Sequence, residues 1–168
     1  SVTAHVEGAT TLRTFNTMLP YGDSKTLGDS WPGRITTAEP DLVEYPPRIA
    51  ANGRTTASGF AAIDAELAAA TGTPDYVLYN LGVNDMLNWG TIVEADWKTQ
   101  TGYILDAMNT KWPSAVIYIM YPWCKGQDAN ADTIAGWFDT VRAARAAFVS
   151  QGPDERVWLK GADNGVTM

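Results

Sequence analysis

The 168-residue chain contains one cysteine, Cys124, and one histidine, His5. A single cysteine excludes an intrachain disulfide. One histidine and one cysteine are too few to hold a transition metal, and Asp75 and Asp139 lack ligand-type spacing, so no metal and no cofactor is expected. No apolar run approaches about 18 residues, the length a membrane-spanning helix needs. Positive charge is also scarce: 12 Lys and Arg stand against 19 Asp and Glu, for a net charge of −7. Such a surface repels phosphate backbones and argues against nucleic acid as a partner. A nucleotide cradle is missing too, because "GDSKT" has Lys25 and Thr26 without the G-x-x-x-x-G-K-[ST] spacing. Cys124, with no histidine or basic cluster near it to lower its pKa, reads as a small hydrophobe.

Apolar residues make up 45% of the chain, which suits a packed domain. The chain opens at Ser1 with no methionine, basic segment or apolar signal region, as expected of a processed or excised piece. Residues 1–12, "SVTAHVEGATTL", are polar and turn-rich and read as a tail or the residue of a preceding segment; residues 13–168 read as one domain. The acidic composition suits a secreted or extracellular polysaccharide setting.

Three apolar runs read as strands buried on both faces, because none alternates cleanly: "FNTMLPY" (15–21), "YVLYNLG" (76–82) and "AVIYIMY" (115–121). "RVWLKG" (156–161) reads as a fourth strand. "PRIAANG" (47–53) is a fifth whose start Pro46 and Pro47 restrict. Between them, residues 56–72, 94–112 and 131–153 carry helical spacing, with stops at Gly72, before Pro113 and at Gly152–Pro153. Strands alternating with helices predict an α/β fold, a parallel sheet with helices on both faces.

Gly-Asp-Ser occurs twice, at 22–24 and 28–30. In such a sheet, ligands gather at the carboxyl ends of the strands. Ser24 lies three residues past Tyr21, the expected end of the first strand, and Gly22 is expected to permit a sharp turn. Ser30, followed by Trp31-Pro32, reads instead as a helix N-cap. A serine nucleophile needs donors aimed at the oxyanion formed on attack. Gly53 in "NGRTT" follows the second strand and opens a helix, and Asn84 in "LGVND" follows the third. Three successive strands thus end in a candidate nucleophile, a glycine N–H and a side-chain amide, about one strand-helix unit apart. Asp23 and Asp85 read as structural neighbours of Ser24 and Asn84, with Asp85 capping the next turn and holding the Asn84 loop. Trp89, Tyr121 and Trp123 follow strands and read either as a pocket wall for a sugar or aryl group or as packing.

"GDSKTLG" resembles the first block of the SGNH, or GDSL, hydrolases, G-D-S-x-T-x-G, through Thr26 and Gly28, which aligns the first tripeptide and not the second. "ANGRTT" resembles the second block and "GVND" the third. The resemblance, over roughly residues 14–85, implies a flavodoxin-like three-layer α/β/α sandwich with about five parallel strands. It implies a cofactor-free serine esterase in which Ser24 attacks and the Ser24 and Gly53 N–H groups and the Asn84 amide hold the oxyanion. Short acyl or acetyl esters, including those on carbohydrate, are the implied substrates.

The family's last block, D-x-x-H, supplies the general base, without which a serine hydroxyl is a poor nucleophile. After "RVWLKG" the chain reads "ADNGVTM"; Asp163 is followed three residues later by Val166, not histidine. One expectation is that an Asp-x-x-His segment lies beyond Met168. Another is a non-catalytic relative that binds an acyl or sugar ligand. A third has His5 serve as base, although the residues ahead of the first strand start at the opposite edge of the sheet.

Overall fold

The computed structural model describes residues 2–4, 13–27 and 31–157. β1 (Val2–Ala4) pairs antiparallel with β2 (Arg13–Gly22), so part of the stretch read as a tail is sheet. A 3-10 turn over Ser24–Thr26 follows β2, then α1 (Trp31–Ala38), β3 (Leu42–Glu44) and β4 (Ile49–Ala50). Next come α2 (Thr56–Ala69), β5 (Tyr76–Asn80), α3 (Val83–Leu87), a 3-10 turn (Trp89–Thr91) and α4 (Glu94–Lys111). β6 (Val116–Tyr121), α5 (Asp128–Ala143) and β7 (Val149–Asp154) complete the described fold.

β5 pairs parallel with β2, β6 with β5, and β7 with β6, while β3 and β4 pair parallel with β2 on the edge away from β5. The spatial order of the parallel strands is therefore β3/β4, β2, β5, β6, β7. This is the expected α/β sandwich, with five parallel positions and its switch point beside β2. The lack of alternation in the strands has a direct cause. Leu19, Tyr21, Val77, Tyr79, Ile117 and Ile119 point to one face and pack with α2, α4 and α5. Met18, Leu78 and Met120 point to the other, where Trp31 and Ile35 of α1 meet them. Aromatic rings span the larger core: Tyr21 stacks on Tyr79, and Phe138 meets the edges of Tyr79 and Trp97.

Two sequence expectations are corrected. The helix expected over 131–153 stops at Ala143, and its last residues are β7. β6 would otherwise present an open edge, and pairing Val149 with Ile117 outweighs local helix propensity. Gly152 fits because a Cβ there would sit 3.0 Å from the Ile119 carbonyl oxygen, next to a register shift that also accommodates Pro153. Of "RVWLKG", expected as a strand, Arg156 and Val157 lie in a helical turn, and 158–161 fall outside the described residues. Of the strand expected over 47–53 only Ile49–Ala50, β4, is strand; β3 precedes it in a stretch not read as strand, and the Pro46–Pro47 pair, which lacks ladder donors, separates the two.

Candidate active site

β2 ends at Gly22, and its carboxyl end makes the first wall of the crevice. Gly22 is needed for close approach rather than for an unusual turn. A Cβ there would lie 2.0 Å from Thr26 Oγ1 and 2.5 Å from the Asn80 carbonyl oxygen. Asp23 caps the following 3-10 turn by accepting from the Lys25 amide at 2.9 Å. Ser24 opens that turn and is exposed, and among the described residues no side chain hydrogen-bonds to its hydroxyl. Ser30 and Gly28 lie outside the described residues, as do His5, Asp163 and Val166.

The loop after β4 makes the second wall. Gly53 has φ +67°, a conformation that favours glycine, and a Cβ on it would meet nothing within 4 Å. It stands in a turn ahead of α2 rather than at the helix start; the N-cap is Thr55, which forms a capping box with Ser58. Among the described residues none accepts from the Gly53 N–H, which leaves that donor unspent.

The third wall follows β5. Gly82, at φ +119°, starts α3 and turns Asn84 toward the other two loops. The Asn84 side-chain amide donates to the Arg54 carbonyl at 3.0 Å and, more loosely, to Asp23 Oδ2 at 3.4 Å. Asn84 thus joins the loops that carry Ser24 and Gly53. The Asp85 carboxylate accepts from the Thr56 amide at 3.0 Å and from the Thr56 hydroxyl at 3.3 Å, anchoring the start of α2. Burial raises the Asp85 carboxyl above its ordinary value, and the Thr56 bonds offset this only in part. Burial likewise lifts Asp23 to about 6, against the lowering pull of the Lys25 amide and ammonium.

The three candidate wall residues fare differently. Tyr121 is 2% exposed, its ring stacks on Phe138 and its hydroxyl donates to Asp139. It belongs to the core, and the pocket-wall reading does not hold for it. Trp89 is half-buried with its ring stacked on Trp137 at 5.3 Å. Trp123 is half-buried at the end of β6, where its indole N–H donates to Asp128 at 2.8 Å. A depression of about 170 Å³ lies between the starts of α2 and α4, lined in part by Thr55, Asp85, Asn88 and Trp97.

Sequence reasoning did not anticipate Glu155, Asn80 and Arg54. Glu155 is 7% exposed just past β7 and accepts from Lys25, Asn80 and Trp123. Arg54 is buried, lies over the Tyr21 ring and pairs with Glu66. Among the described residues no group of three or more His, Cys, Asp or Glu is arranged to hold a metal ion, and no helix is long and apolar enough to cross a membrane.

Neither protein-family profiles nor curated proteins match this chain. Solved structures do. The SGNH-hydrolase family esterase AlinE4 superposes with TM-score 0.63 at 20% identity, over 80% of this chain and 75% of that one. The psychrotrophic esterase EstA from Pseudoalteromonas sp. gives TM-score 0.63 at 19% identity, over 82% and 77%. A lipolytic G-D-S-L family member from Veillonella parvula gives 0.67 at 14% identity, over 88% and 82%. At these identities the likeness is one of architecture. The chain has the fold of the SGNH, or GDSL, hydrolases.

Proposed function

We propose that this chain belongs to an esterase that hydrolyses short acyl or acetyl carboxylic esters, including those on carbohydrate, with Ser24 as nucleophile. The observation that carries this reading is the linkage of three loops through Asn84, which brings an exposed serine together with an unspent glycine N–H at one sheet edge. Similarity in fold to solved esterases supports it.

In this reading Ser24 Oγ attacks the ester carbonyl carbon. The oxyanion receives the N–H groups of Ser24 and Gly53 and one hydrogen of the Asn84 amide. Asn84 has two such hydrogens: the bond to Arg54 fixes the side chain, and the longer contact to Asp23 leaves the second available. Collapse breaks the bond to the alcohol oxygen, the alcohol leaves with the serine's proton, and water hydrolyses the acyl-serine. In this reading the proton carrier is the histidine of an Asp-x-x-His segment that follows Met168, since the 168 residues carry no histidine but His5. The end of β7, tied to Lys25 by Glu155, starts the following chain from the crevice edge. Trp89 and Trp123 are the candidates we propose for the alcohol side.

The test is hydrolysis of a short-chain aryl ester by the full-length protein, including the segment after Met168, and by its Ser24→Ala variant. Loss of turnover in the variant supports the reading, and equal rates overturn it. Ser30→Ala retains most activity. Ligand affinity with no turnover in the wild type would favour a binding relative on the same fold.

A further inference from the structure

The reaction as drawn leaves one ion pair without a task. Lys25 follows Ser24 directly, and its ammonium donates to Glu155 Oε2 and to the Trp123 carbonyl, both at 2.6 Å. Glu155 Oε2 also accepts from the Trp123 amide at 3.1 Å, and Oε1 accepts from the Asn80 side-chain amide at 3.0 Å. One buried carboxylate therefore fastens the carboxyl ends of β5, β6 and β7 to the residue beside the serine. Removing a carboxylate from water is costly unless charged or N–H donors satisfy it, and here three do.

The turn that presents Ser24 cannot hold its own shape. It is three residues long, closed by Thr26 N–H to the Asp23 carbonyl at 3.0 Å and Leu27 N–H to the Ser24 carbonyl at 3.3 Å. Its geometry must come from what grips its ends. Asp23 grips the start and is itself held loosely by the Asn84 amide at 3.4 Å, and Arg48 donates to the Thr26 carbonyl at 3.0 Å. Lys25 carries the remaining grip and reaches the opposite side of the crevice.

We propose that Lys25 and Glu155 are positioning residues that hold the Ser24 hydroxyl at its angle of attack. This rests on the reading of Ser24 as nucleophile. A misplacement of about 1 Å at a reacting atom costs on the order of 10²-fold in rate, so a grip on the neighbouring residue should appear in kcat rather than in substrate binding.

The experiment uses the full chain with Lys25→Met, Lys25→Arg and Glu155→Gln. It reads kcat and KM on a short-chain aryl ester, thermal unfolding, and amide exchange at Lys25, Thr26 and Leu27. Lys25→Met and Glu155→Gln are expected to lower kcat about 10- to 100-fold with KM within about twofold. Lys25→Arg restores most of the rate, because it keeps the charge and the reach. The three turn amides exchange at least about tenfold faster in Lys25→Met, while α4 is unchanged. If Lys25→Met does not fold, Glu155→Gln, which keeps shape and an acceptor, gives the same reading. An active, Ser24-dependent wild type with unchanged kcat in Lys25→Met and Glu155→Gln overturns positioning and leaves the esterase reading intact. Losses of rate that only follow unfolding also overturn it. A wild type with no turnover overturns the esterase reading instead, and turn exchange alone then decides the grip: acceleration supports it, no change overturns it.

Discussion

The two ends of the central strands treat carboxylates in opposite ways. At the amino end of β5, Asp75 accepts from both the Thr17 amide and the Thr17 hydroxyl at 2.8 Å, and its own N–H donates to the Thr17 carbonyl at 2.9 Å. Desolvation pushes the Asp75 carboxyl up, the Thr17 bonds pull it down, and the group is held below its ordinary value. At the carboxyl end, burial wins: Asp23 lies at about 6 and Asp85 is raised. The amino end is a fastening whose charge is fully used. The carboxyl end keeps charges at a cost and leaves donors unspent, which is how sites of chemistry differ from structural networks.

If the comparison holds, substitutions at the two ends should separate rate from stability. The largest effect expected is on rate. Asn84→Ala should lower kcat by about 10²- to 10³-fold in ester hydrolysis, with a melting temperature close to wild type, as a lost oxyanion donor does. Asp75→Ala should do the reverse. It leaves the buried Thr17 amide and hydroxyl without their acceptor, which costs about 3 kcal/mol in denaturant unfolding with activity per folded molecule unchanged.

Asp23 gives a pH test of the costly end. Its folded value, about 6, stands above the ordinary carboxyl value of 3.8, so the protonated group favours the folded state. That stability is present below about pH 4 and is lost as pH rises through 6, by up to about 3 kcal/mol. The stability of wild type minus that of Asp23→Asn, followed from pH 4 to pH 7, should fall by an amount of this order. A flat difference would remove the contrast between the ends. The smallest effect belongs to the frame of the site: Thr55→Ala, which breaks the capping box of α2, should cost about 1 kcal/mol in thermal unfolding.

What the sequence disclosed follows the range of the forces involved. β2, β5 and β6 were legible because both their faces are buried, so their apolar runs are continuous. α2 and α4 were legible from apolar spacing and stop signals. Residues 144–153 were misread because alanine-rich propensity pointed to helix, while the decisive interaction is the pairing of 149–153 with β6, distant in sequence. Ser24, Gly53 and Asn84 stood out because each sits in a short motif at a strand end. Glu155 carried no such signal. Its partners Lys25, Asn80 and Trp123 come together only through sheet order, and β7 had to be placed correctly first. Tyr121 was ambiguous because its position in the chain suits a pocket wall, and only the Phe138 ring and Asp139 carboxylate show it to be core.

The central claim is that Ser24, and not the serine of the second Gly-Asp-Ser, is the nucleophile. The direct measurement is to treat the full chain with an aryl alkylphosphonate and locate the adduct by peptide mass mapping. The account predicts one phosphonyl group on Ser24 and none in Ser24→Ala. An adduct on Ser30, or labelling that persists in Ser24→Ala, would contradict it.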